Sequence, residues 1–202
     1  MQLIGMLDSP YVRRVAISLR LLHLPFEHRP ISVFRDFEEF AQINPVVKAP
    51  TLVCDDGEVL MDSTLILDHV EFMAPRSLMP ADPLARQRAL RVIGLSLAAC
   101  EKTVQSVYEQ TLRPAEKQHE PWRTRVHHQL VAACSALETE LVKSPLGAQD
   151  TTITQAGVTT AVAWTFTQMM LPNIVLAERF PRLNAYSASA EQLPAFRATP
   201  AS

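Results

Sequence analysis

Residues 44–70 read NPVVKAPTLVCDDGEVLMDSTLILDHV, and this stretch decides the fold of the N-terminal part of the chain. Residues 51–54 and 58–61 are short apolar runs, and the Asp-Asp-Gly between them is typical of a hairpin turn. Asp62-Ser63 follows the second run, and residues of this type favour the start of a helix. The stretch therefore predicts a β-hairpin that leads directly into a helix over 63–73.

The segment before the hairpin predicts two more strands and two helices. Residues 2–6 form a short apolar run that suits a buried strand. From Pro10 onward, apolar residues recur at spacings of three and four, as on one face of a helix. Proline suits the first helical turn, because its missing N–H costs nothing there. The apolar face comprises Val12, Val15, Ala16, Leu19 and Leu22. A second strand is predicted over 26–31 and a short helix over 36–41.

The rest of the chain predicts only helices. Residues 74–83 carry three prolines, which is typical of a linker. Asp82-Pro83 then supplies a helix cap and a first-turn proline. The apolar seam of the first long helix comprises Leu90, Ile93, Leu97, Cys100, Val104 and Val107. Similar seams run over 122–141 and 154–169, and a shorter helix follows Pro181. We expect these helices to bury their seams against one another as a bundle.

The bulk composition excludes several classes of protein. The chain has 202 residues, 48% apolar and 20% charged, as in ordinary soluble globular proteins. A net charge of −2 argues against a nucleic-acid partner. No apolar stretch approaches the roughly 20 residues that span a membrane, and the N-terminus lacks the basic region of a secretory signal. A cytoplasmic protein is therefore predicted. Its three cysteines are interpreted as reduced thiols, and no metal site is predicted from the six histidines.

Three short groups could carry chemistry, although each also has a plain structural interpretation. Ser9 stands directly before the helix at Pro10, where serine is a favoured cap. Asp62-Ser63 could cap the following helix in the same way. Pro50 precedes a strand, and only about 5–6% of X–Pro bonds are cis, so the residues alone favour a trans proline at a strand start. The residues by themselves leave both capping and ligand binding open.

The whole chain resembles a bacterial cytosolic glutathione transferase and is most similar to the serine-type classes, such as tau, theta and zeta. The resemblance is carried by Ser9-Pro10-Tyr11-Val12-Arg13, Asn44-Pro45-Val46-Val47-Lys48-Ala49-Pro50 and Asp62-Ser63-Thr64-Leu65-Ile66-Leu67. It implies an α+β, thioredoxin-like N-terminal domain over 1–76, in the order β-α-β-α-β-β-α. An all-α helical bundle domain over 83–202 follows and contributes the electrophile pocket. The resemblance also implies a homodimer, glutathione as co-substrate, no metal, and a role in detoxification.

The resemblance implies that Ser9 is the catalytic residue. Its hydroxyl would donate a hydrogen bond to the glutathione sulfur and favour the thiolate, which is the reactive form. Tyr11 is a rival hydroxyl, and we interpret it as a wall of the pocket for a small hydrophobic electrophile. That electrophile would meet the sulfur between the two domains, where Glu101, Tyr108 and Trp164 are further candidates.

The resemblance also implies a set of glutathione-binding residues. Pro50 is expected to be cis and to turn the backbone of Ala49 toward the cysteinyl part of the tripeptide. Lys48 would lie near the glycine carboxylate. Asp62 would pair with the ammonium group of the γ-glutamyl head, while Ser63 and the helix N-terminus would bind its carboxylate.

Two other functions fit the same resemblance. A glutathione-dependent isomerase, such as a maleylacetoacetate isomerase, usually carries a fuller serine-serine-cysteine motif after the first strand, which this chain lacks. A non-catalytic glutathione-transferase-like module would use the same fold to bind proteins. A cysteine-type thiol transferase is disfavoured because position 9 is serine.

The chain departs from the family pattern at Gly157. The family usually has a Ser/Thr-x-x-Asp capping box, and here the residues are Thr154-Gln155-Ala156-Gly157. Glycine in place of the acid loses the reciprocal hydrogen bond of the box. It also adds a helix-interior glycine, which costs about 1 kcal/mol. The sequence therefore predicts that Gly157→Asp raises the melting temperature.

Overall fold

The computed structural model describes residues 1–201, and these fall into two units. The first unit comprises residues 1–78 together with the chain from Leu193 on, and the second comprises 79–192. The predicted helical domain over 83–202 therefore includes a C-terminal segment that the structure assigns to the other unit. Ser202 lies outside the described residues.

The first unit follows the predicted order β-α-β-α-β-β-α. Its elements are β1 (Gln2–Ile4), α1 (Pro10–Leu21), β2 (Glu27–Arg29), α2 (Phe37–Ile43), β3 (Thr51–Val53), β4 (Val59–Met61) and α3 (Ser63–Met73). The strands form one sheet in the order β2-β1-β3-β4. Strand β1 is parallel to β2 and antiparallel to β3, and β3 is antiparallel to β4. The predicted thioredoxin-like fold is confirmed.

Helix α1 buries the apolar face that the sequence predicts. Its members, from Val12 to Leu22, are almost completely shielded from solvent. Each fully buried Val or Leu side chain contributes about 1.5–3 kcal/mol. Two arginines of the same helix, Arg13 and Arg14, are buried as well. The apolar periodicity gives no sign of these two.

Four helices build the second unit, as predicted: α4 (Pro83–Thr111), α5 (Glu120–Lys143), α6 (Gln155–Met170) and α7 (Pro181–Ala190). Helices α5 and α6 both pack on α4, and α7 packs on α5 and α6. Short 3₁₀ turns over 115–117 and 177–179 were not predicted. Within residues 1–201, no helix combines the length and the apolar character needed to cross a membrane.

The buried face of α4 differs from the predicted seam. Leu90 is exposed, whereas Ser96 and Thr103 are completely buried. The hydroxyls of Ser96 and Thr103 each donate to the carbonyl four residues earlier at 2.9 Å. They also lie 3.1 Å from the hydroxyls of Thr160 and Thr167 on α6. Because buried hydroxyls with hydrogen-bond partners carry little penalty, these small residues can form the contact between the two helices.

Packing against Tyr186 explains Gly157. A Cβ at position 157 would lie 2.3 Å from the Tyr186 hydroxyl and 3.2 Å from a methylene of Ile153. Tyr186 is buried, and its hydroxyl donates to the carbonyl of Gly147 at 3.2 Å. Thr154 still caps α6, since its hydroxyl accepts from the amide of Gly157. A side chain at position 157 would therefore require Tyr186 to shift, which opposes the stabilisation predicted for Gly157→Asp.

The C-terminal segment packs on α1 of the first unit. It contains a short helix, α8 (Pro194–Arg197), in which Phe196 is completely buried. The guanidinium of Arg13 lies 5.7 Å from the centre of the Phe196 ring. Its Nε donates to the carbonyl of Thr199 at 2.8 Å. Because of these contacts with α1, the C-terminal segment belongs to the first unit.

Candidate functional site

One end of the sheet brings three loops together. Ile4 pairs with Thr51 across β1 and β3, and Thr51 pairs with the last residue of β4. The residues after β1, before β3 and after β4 are therefore neighbours. Gly5 has φ +133°, which favours glycine, and a Cβ there would lie 2.7 Å from Val12 and 3.1 Å from Ala49. The start of α1 and the loop before β3 thus approach each other closely because position 5 has no side chain.

Ser9 is the cap of α1. Its hydroxyl oxygen accepts from the amide of Val12 at 3.5 Å, which is long for a hydrogen bond. The first turn begins with Pro10 and contains no acidic residue, so no carboxylate there offsets the positive end of the helix dipole. A serine hydroxyl has one donor and two acceptor sites. Ser9 can therefore cap the helix and still donate its proton to an anion.

The loop before β3 contains a cis peptide bond between Ala49 and Pro50, as the resemblance implies. The Asn44 amide donates to the Thr51 hydroxyl at 2.8 Å, and that hydroxyl donates to the Lys48 carbonyl, also at 2.8 Å. Asn44 and Thr51 are both buried. Sequence reasoning missed these two supporting residues. The available signal was a polar residue on each side of the Val-Val-Lys-Ala-Pro turn.

Asp62 and Ser63 begin α3, as predicted. Asp62 has φ +72°, which is uncommon outside glycine. One of its carboxylate oxygens accepts from the amide of Thr64 at 2.8 Å. The other lies 3.8 Å from the Lys48 ammonium, and both of these side chains are about half exposed. The sequence assigned Lys48 and Asp62 to different groups of glutathione, whereas here they face each other. An exposed pair of this kind contributes only about 0–1 kcal/mol, so a ligand can replace it.

Arg14 also reaches the start of α3, and sequence reasoning missed it. It is only 2% exposed. Its Nη1 donates to the hydroxyls of Ser63 and Thr64 at 3.0 and 3.2 Å. Helix α1 contains no acidic residue that could pair with an arginine. A basic residue among buried apolar neighbours, without an acidic partner on its helix, was the available signal.

The candidate electrophile residues lie in different surroundings. Tyr11 is half-buried in the first turn of α1. Glu101 is exposed on α4, where it accepts from Lys102 at 3.0 Å and from Gln105 at 2.8 Å. Tyr108 is partly exposed on the same helix. Trp164 is buried, however, and packs within the helical unit as a core residue.

The contacts of Trp164 explain its core position. Its indole N–H donates to Asn184 at 3.3 Å. Its ring meets the edge of Phe180 with the ring centres 5.8 Å apart. Helix α7 thus provides the hydrogen-bond acceptor for Trp164, and the turn before α7 provides its aromatic contact.

Two of the three cysteines, Cys54 and Cys134, lie in environments that do not favour thiolate chemistry. Burial and the nearby Asp56 carboxylate raise the pKa of the Cys54 thiol above its ordinary value. Burial raises the pKa of Cys134 to about 12. A thiol is reactive as the thiolate, so neither environment promotes nucleophilic attack. Within the described part of the chain, no group of three or more His, Cys, Asp or Glu side chains could hold a metal ion.

Comparisons with known proteins point to one family. The family model described as glutathione S-transferase, N-terminal domain, matches residues 3–77, which include all three loops at the end of the sheet. The GST-like protein YibF of Escherichia coli is 31% identical over 166 residues, which cover 81% of this chain and 81% of that protein. The maleylacetoacetate isomerase of Pseudomonas aeruginosa is 35% identical over 88 residues, which cover 41% of this chain and 42% of the isomerase.

A solved structure shares the fold along nearly the whole chain. It is a glutathione transferase family member from Pseudomonas fluorescens Pf-5 with bound glutathione, 28% identical in sequence. The two structures superpose with a TM-score of 0.84, and the match covers 98% of this chain and 97% of the other.

Proposed function

Because this chain belongs to the glutathione S-transferase family, we propose that it activates the thiol of glutathione for attack on a small hydrophobic electrophile. The single observation that carries this proposal is the close approach of Gly5 to Val12 and Ala49. That approach sets the cap of α1, with its hydroxyl, beside the loop of the cis proline. The glutathione bound to the Pseudomonas fluorescens relative supports the choice of thiol.

Ser9 is the proposed activating residue. A free thiol has a pKa of about 8.5, so only about 3% is thiolate at neutral pH. Lowering this pKa by about 2 units requires about 2.7 kcal/mol of preferential stabilisation of the anion. A hydrogen bond to a charged group supplies about 1.5–3 kcal/mol, and a helix N-terminus adds about 0.3–1 kcal/mol. The Ser9 hydroxyl and the start of α1 are together sufficient for such a shift.

In this mechanism the thiol proton leaves to solvent when glutathione binds. The sulfur anion, which accepts a hydrogen bond from Ser9, then attacks the electrophilic carbon. A carbon–sulfur bond forms. In a substitution, the bond from that carbon to the leaving group breaks and its electron pair departs with the leaving group, whereas in an addition the adjacent π bond breaks and the resulting anion takes a proton from solvent. Ser9 keeps its proton throughout and forms no covalent bond.

The remaining parts of glutathione are proposed to bind along the other two loops. The cysteinyl backbone pairs with the N–H and C=O of Ala49, as an added strand would. Ser63 and the N-terminus of α3 bind the γ-glutamyl carboxylate. Asp62 binds the γ-glutamyl ammonium, and Lys48 exchanges its contact with Asp62 for the glycine carboxylate. Tyr11, Glu101 and Tyr108 are the candidates that we retain for contact with the electrophile.

Calorimetric titration with glutathione in two buffers of different ionisation enthalpy tests this proposal. We expect saturable binding, and an apparent enthalpy that differs between buffers because a proton is released. Ser9→Ala is the matched variant: it should still bind glutathione but release less proton. Binding without proton release by the wild-type protein would exclude thiolate stabilisation. No binding at all would favour a non-catalytic protein-binding module, in which Ser9 and Asp62 serve only as helix caps.

A glutathione-dependent isomerase is the second candidate function. The similarity to the Pseudomonas aeruginosa maleylacetoacetate isomerase is the observation that favours it. An isomerase returns glutathione after each turnover, whereas a transferase consumes one thiol for each product. Titration of free thiol during turnover of a cis-enone acid and of an alkyl halide therefore separates the two functions.

We also propose that the chain forms a homodimer. Phe72 on α3 is 96% exposed, and Leu65, seven residues earlier on the same face of this helix, is exposed as well; apolar side chains that are exposed on one face are typical of an interaction surface. Sedimentation equilibrium of the wild type and of Phe72→Ser checks this proposal, since loss of the contact should shift the mass toward one chain. A detoxifying role in the cytoplasm completes the proposal and rests on the family alone.

A further inference from the structure

Arg14 is a buried charge with two hydroxyl partners at the start of α3. Its Nη1 lies 3.0 Å from the Ser63 hydroxyl oxygen and 3.2 Å from that of Thr64. Arg14 and Ser63 are both buried. Arg14 belongs to the same helix that Ser9 caps, so one rigid element carries both the capping hydroxyl and this guanidinium.

The chemistry of the guanidinium determines how the Ser63 hydroxyl can act. A guanidinium has only donors, so Ser63 must accept from Arg14 and cannot donate to it. The single proton of the hydroxyl is therefore directed to another acceptor. The amide of Thr64 is already bonded to Asp62, so the ligand cannot rely on that donor. Arg14 thus leaves Ser63 as a donor at a helix N-terminus, a place that already favours anions.

We propose that Arg14 is a positioning residue, which orients the Ser63 hydroxyl toward the α-carboxylate of the γ-glutamyl group and selects ligands that carry this carboxylate. This inference rests on the proposed function. Arg14 does not touch the reacting sulfur and acts on the ligand through Ser63. Its buried positive charge adds to the attraction for the carboxylate, since charges out of water are screened less.

The alternative is that Arg14 only fastens α1 to α3. The neighbouring Arg13 provides a matched control for that role. It is equally buried and lies on the same helix, but its Nε donates to the Thr199 carbonyl and its guanidinium lies over the Phe196 ring, 5.7 Å from the ring centre. A purely structural arginine should behave like Arg13, and replacing it should lower stability without changing ligand preference.

The experiment compares two ligands. One is glutathione, and the other is γ-aminobutyryl-cysteinylglycine, which lacks only the α-carboxylate of the γ-glutamyl group. Dissociation constants are measured by calorimetry for the wild type, Arg14→Met, Arg13→Met, Ser63→Ala and the double variant Arg14→Met/Ser63→Ala. Melting temperatures are recorded for each protein. Arg14→Lys is included because it keeps the charge if the methionine variant does not fold.

We expect Arg14→Met to weaken glutathione about tenfold, or about 1.4 kcal/mol, and to leave the affinity for the decarboxylated analogue unchanged. In the Ser63→Ala background the same substitution should have a smaller effect on glutathione. Arg14→Lys should restore part of the preference for the carboxylate, while Arg13→Met should leave the preference as in the wild type. In turnover assays, Arg14→Met should raise KM for glutathione and leave kcat at saturation unchanged.

Three results would overturn the inference. Equal weakening of both ligands by Arg14→Met would assign Arg14 a structural role, while the proposed transferase function would stand. Additive effects of the Arg14 and Ser63 substitutions would exclude action through Ser63. Failure of the wild type to bind glutathione would instead refute the proposed function, and this inference with it.

Discussion

Replacing Gly157 with alanine is expected to destabilise the helical unit, although alanine is the better helix former. The propensity gain is about 1 kcal/mol. This gain is opposed by a steric clash, because the new Cβ would lie only 2.3 Å from the Tyr186 hydroxyl. Overpacking of this kind costs about 1–3 kcal/mol, and displacement of Tyr186 also weakens its hydrogen bond to Gly147, worth about 1 kcal/mol. We therefore expect a net loss of about 1–3 kcal/mol.

The source of this loss can be isolated with Tyr186→Phe. Without the hydroxyl, the next ring atom lies 3.5 Å from the position of the new Cβ, which is an ordinary contact. In that background Gly157→Ala should stabilise the protein by less than about 1 kcal/mol, because the propensity gain is opposed only by the 3.2 Å approach of the Cβ to the Ile153 methylene. The sign of the effect should therefore reverse between the two backgrounds.

Urea unfolding followed by circular dichroism measures all four proteins of this double-mutant cycle. Gly94→Ala on α4 is the matched control, since a Cβ there meets nothing within 4 Å. It should stabilise both backgrounds equally. A coupling free energy between Gly157 and Tyr186 below about 0.5 kcal/mol would refute the argument, because distant, independent sites are additive within that margin.

Three further predictions concern the site and its surroundings. Ser9→Ala should lower kcat by about 100-fold, the equivalent of about 2.7 kcal/mol, while glutathione still binds; unchanged turnover would exclude Ser9 as the activator. In Asp62→Asn the asparagine can still cap α3 but carries no charge. The dissociation constant for glutathione should therefore rise about fivefold with little change in melting temperature. An unaltered dissociation constant would exclude Asp62 from the site. Burial, followed by the Arg123 charge, lowers the pKa of His127 below 6.5, and the ring lies 2.8 Å from the Ser106 hydroxyl. As the pH falls, the unfolded chain therefore binds a proton at His127 before the folded protein does. The stability that the neutral ring contributes is fully present above pH 6.5 and is lost as the pH falls through the folded-state pKa. In His127→Gln the urea midpoint should depend less on pH over that range, and an equally steep pH profile in the variant would exclude His127 as the cause.

Short motifs predicted much of the candidate site, and the structure shows in addition the buried polar residues that support its loops. The serine cap, the Ala49–Pro50 cis bond and the Asp62–Ser63 helix start were expected from the resemblance, and each lies where the three loops meet. Asn44 and Arg14 were not expected. Asn44 bonds to Thr51, seven residues later, across the turn that contains the cis proline, and the cis bond brings the two together. Arg14 bonds to Ser63 and Thr64, 49 and 50 residues later, so its partners could not be identified from neighbouring residues.

The α4 seam shows the limit of hydrophobic periodicity. The spacing of apolar residues predicted that Leu90 is buried, but Ser96 and Thr103 occupy the contact with α6 instead. The spacing of apolar residues treats serine and threonine as polar, so it does not predict that they are buried. In the structure these hydroxyls bond to their own helix and lie against the hydroxyls of α6, so burial costs them little.

The sequence by itself determined the order of the elements, the start of the main helices and the positions of the three candidate loops. These features depend on residues a few positions apart: apolar spacing, caps and turn residues act within one or two turns of the chain. Only the tertiary structure decided the assignment of the C-terminal segment, the partners of Arg14 and the need for glycine at 157. Each of these depends on a contact across the fold, such as Arg13 with Thr199, 186 residues apart, or Arg14 with Ser63, 49 residues apart. Contacts at such separations are decided by how the whole chain packs, and local sequence carries no record of them.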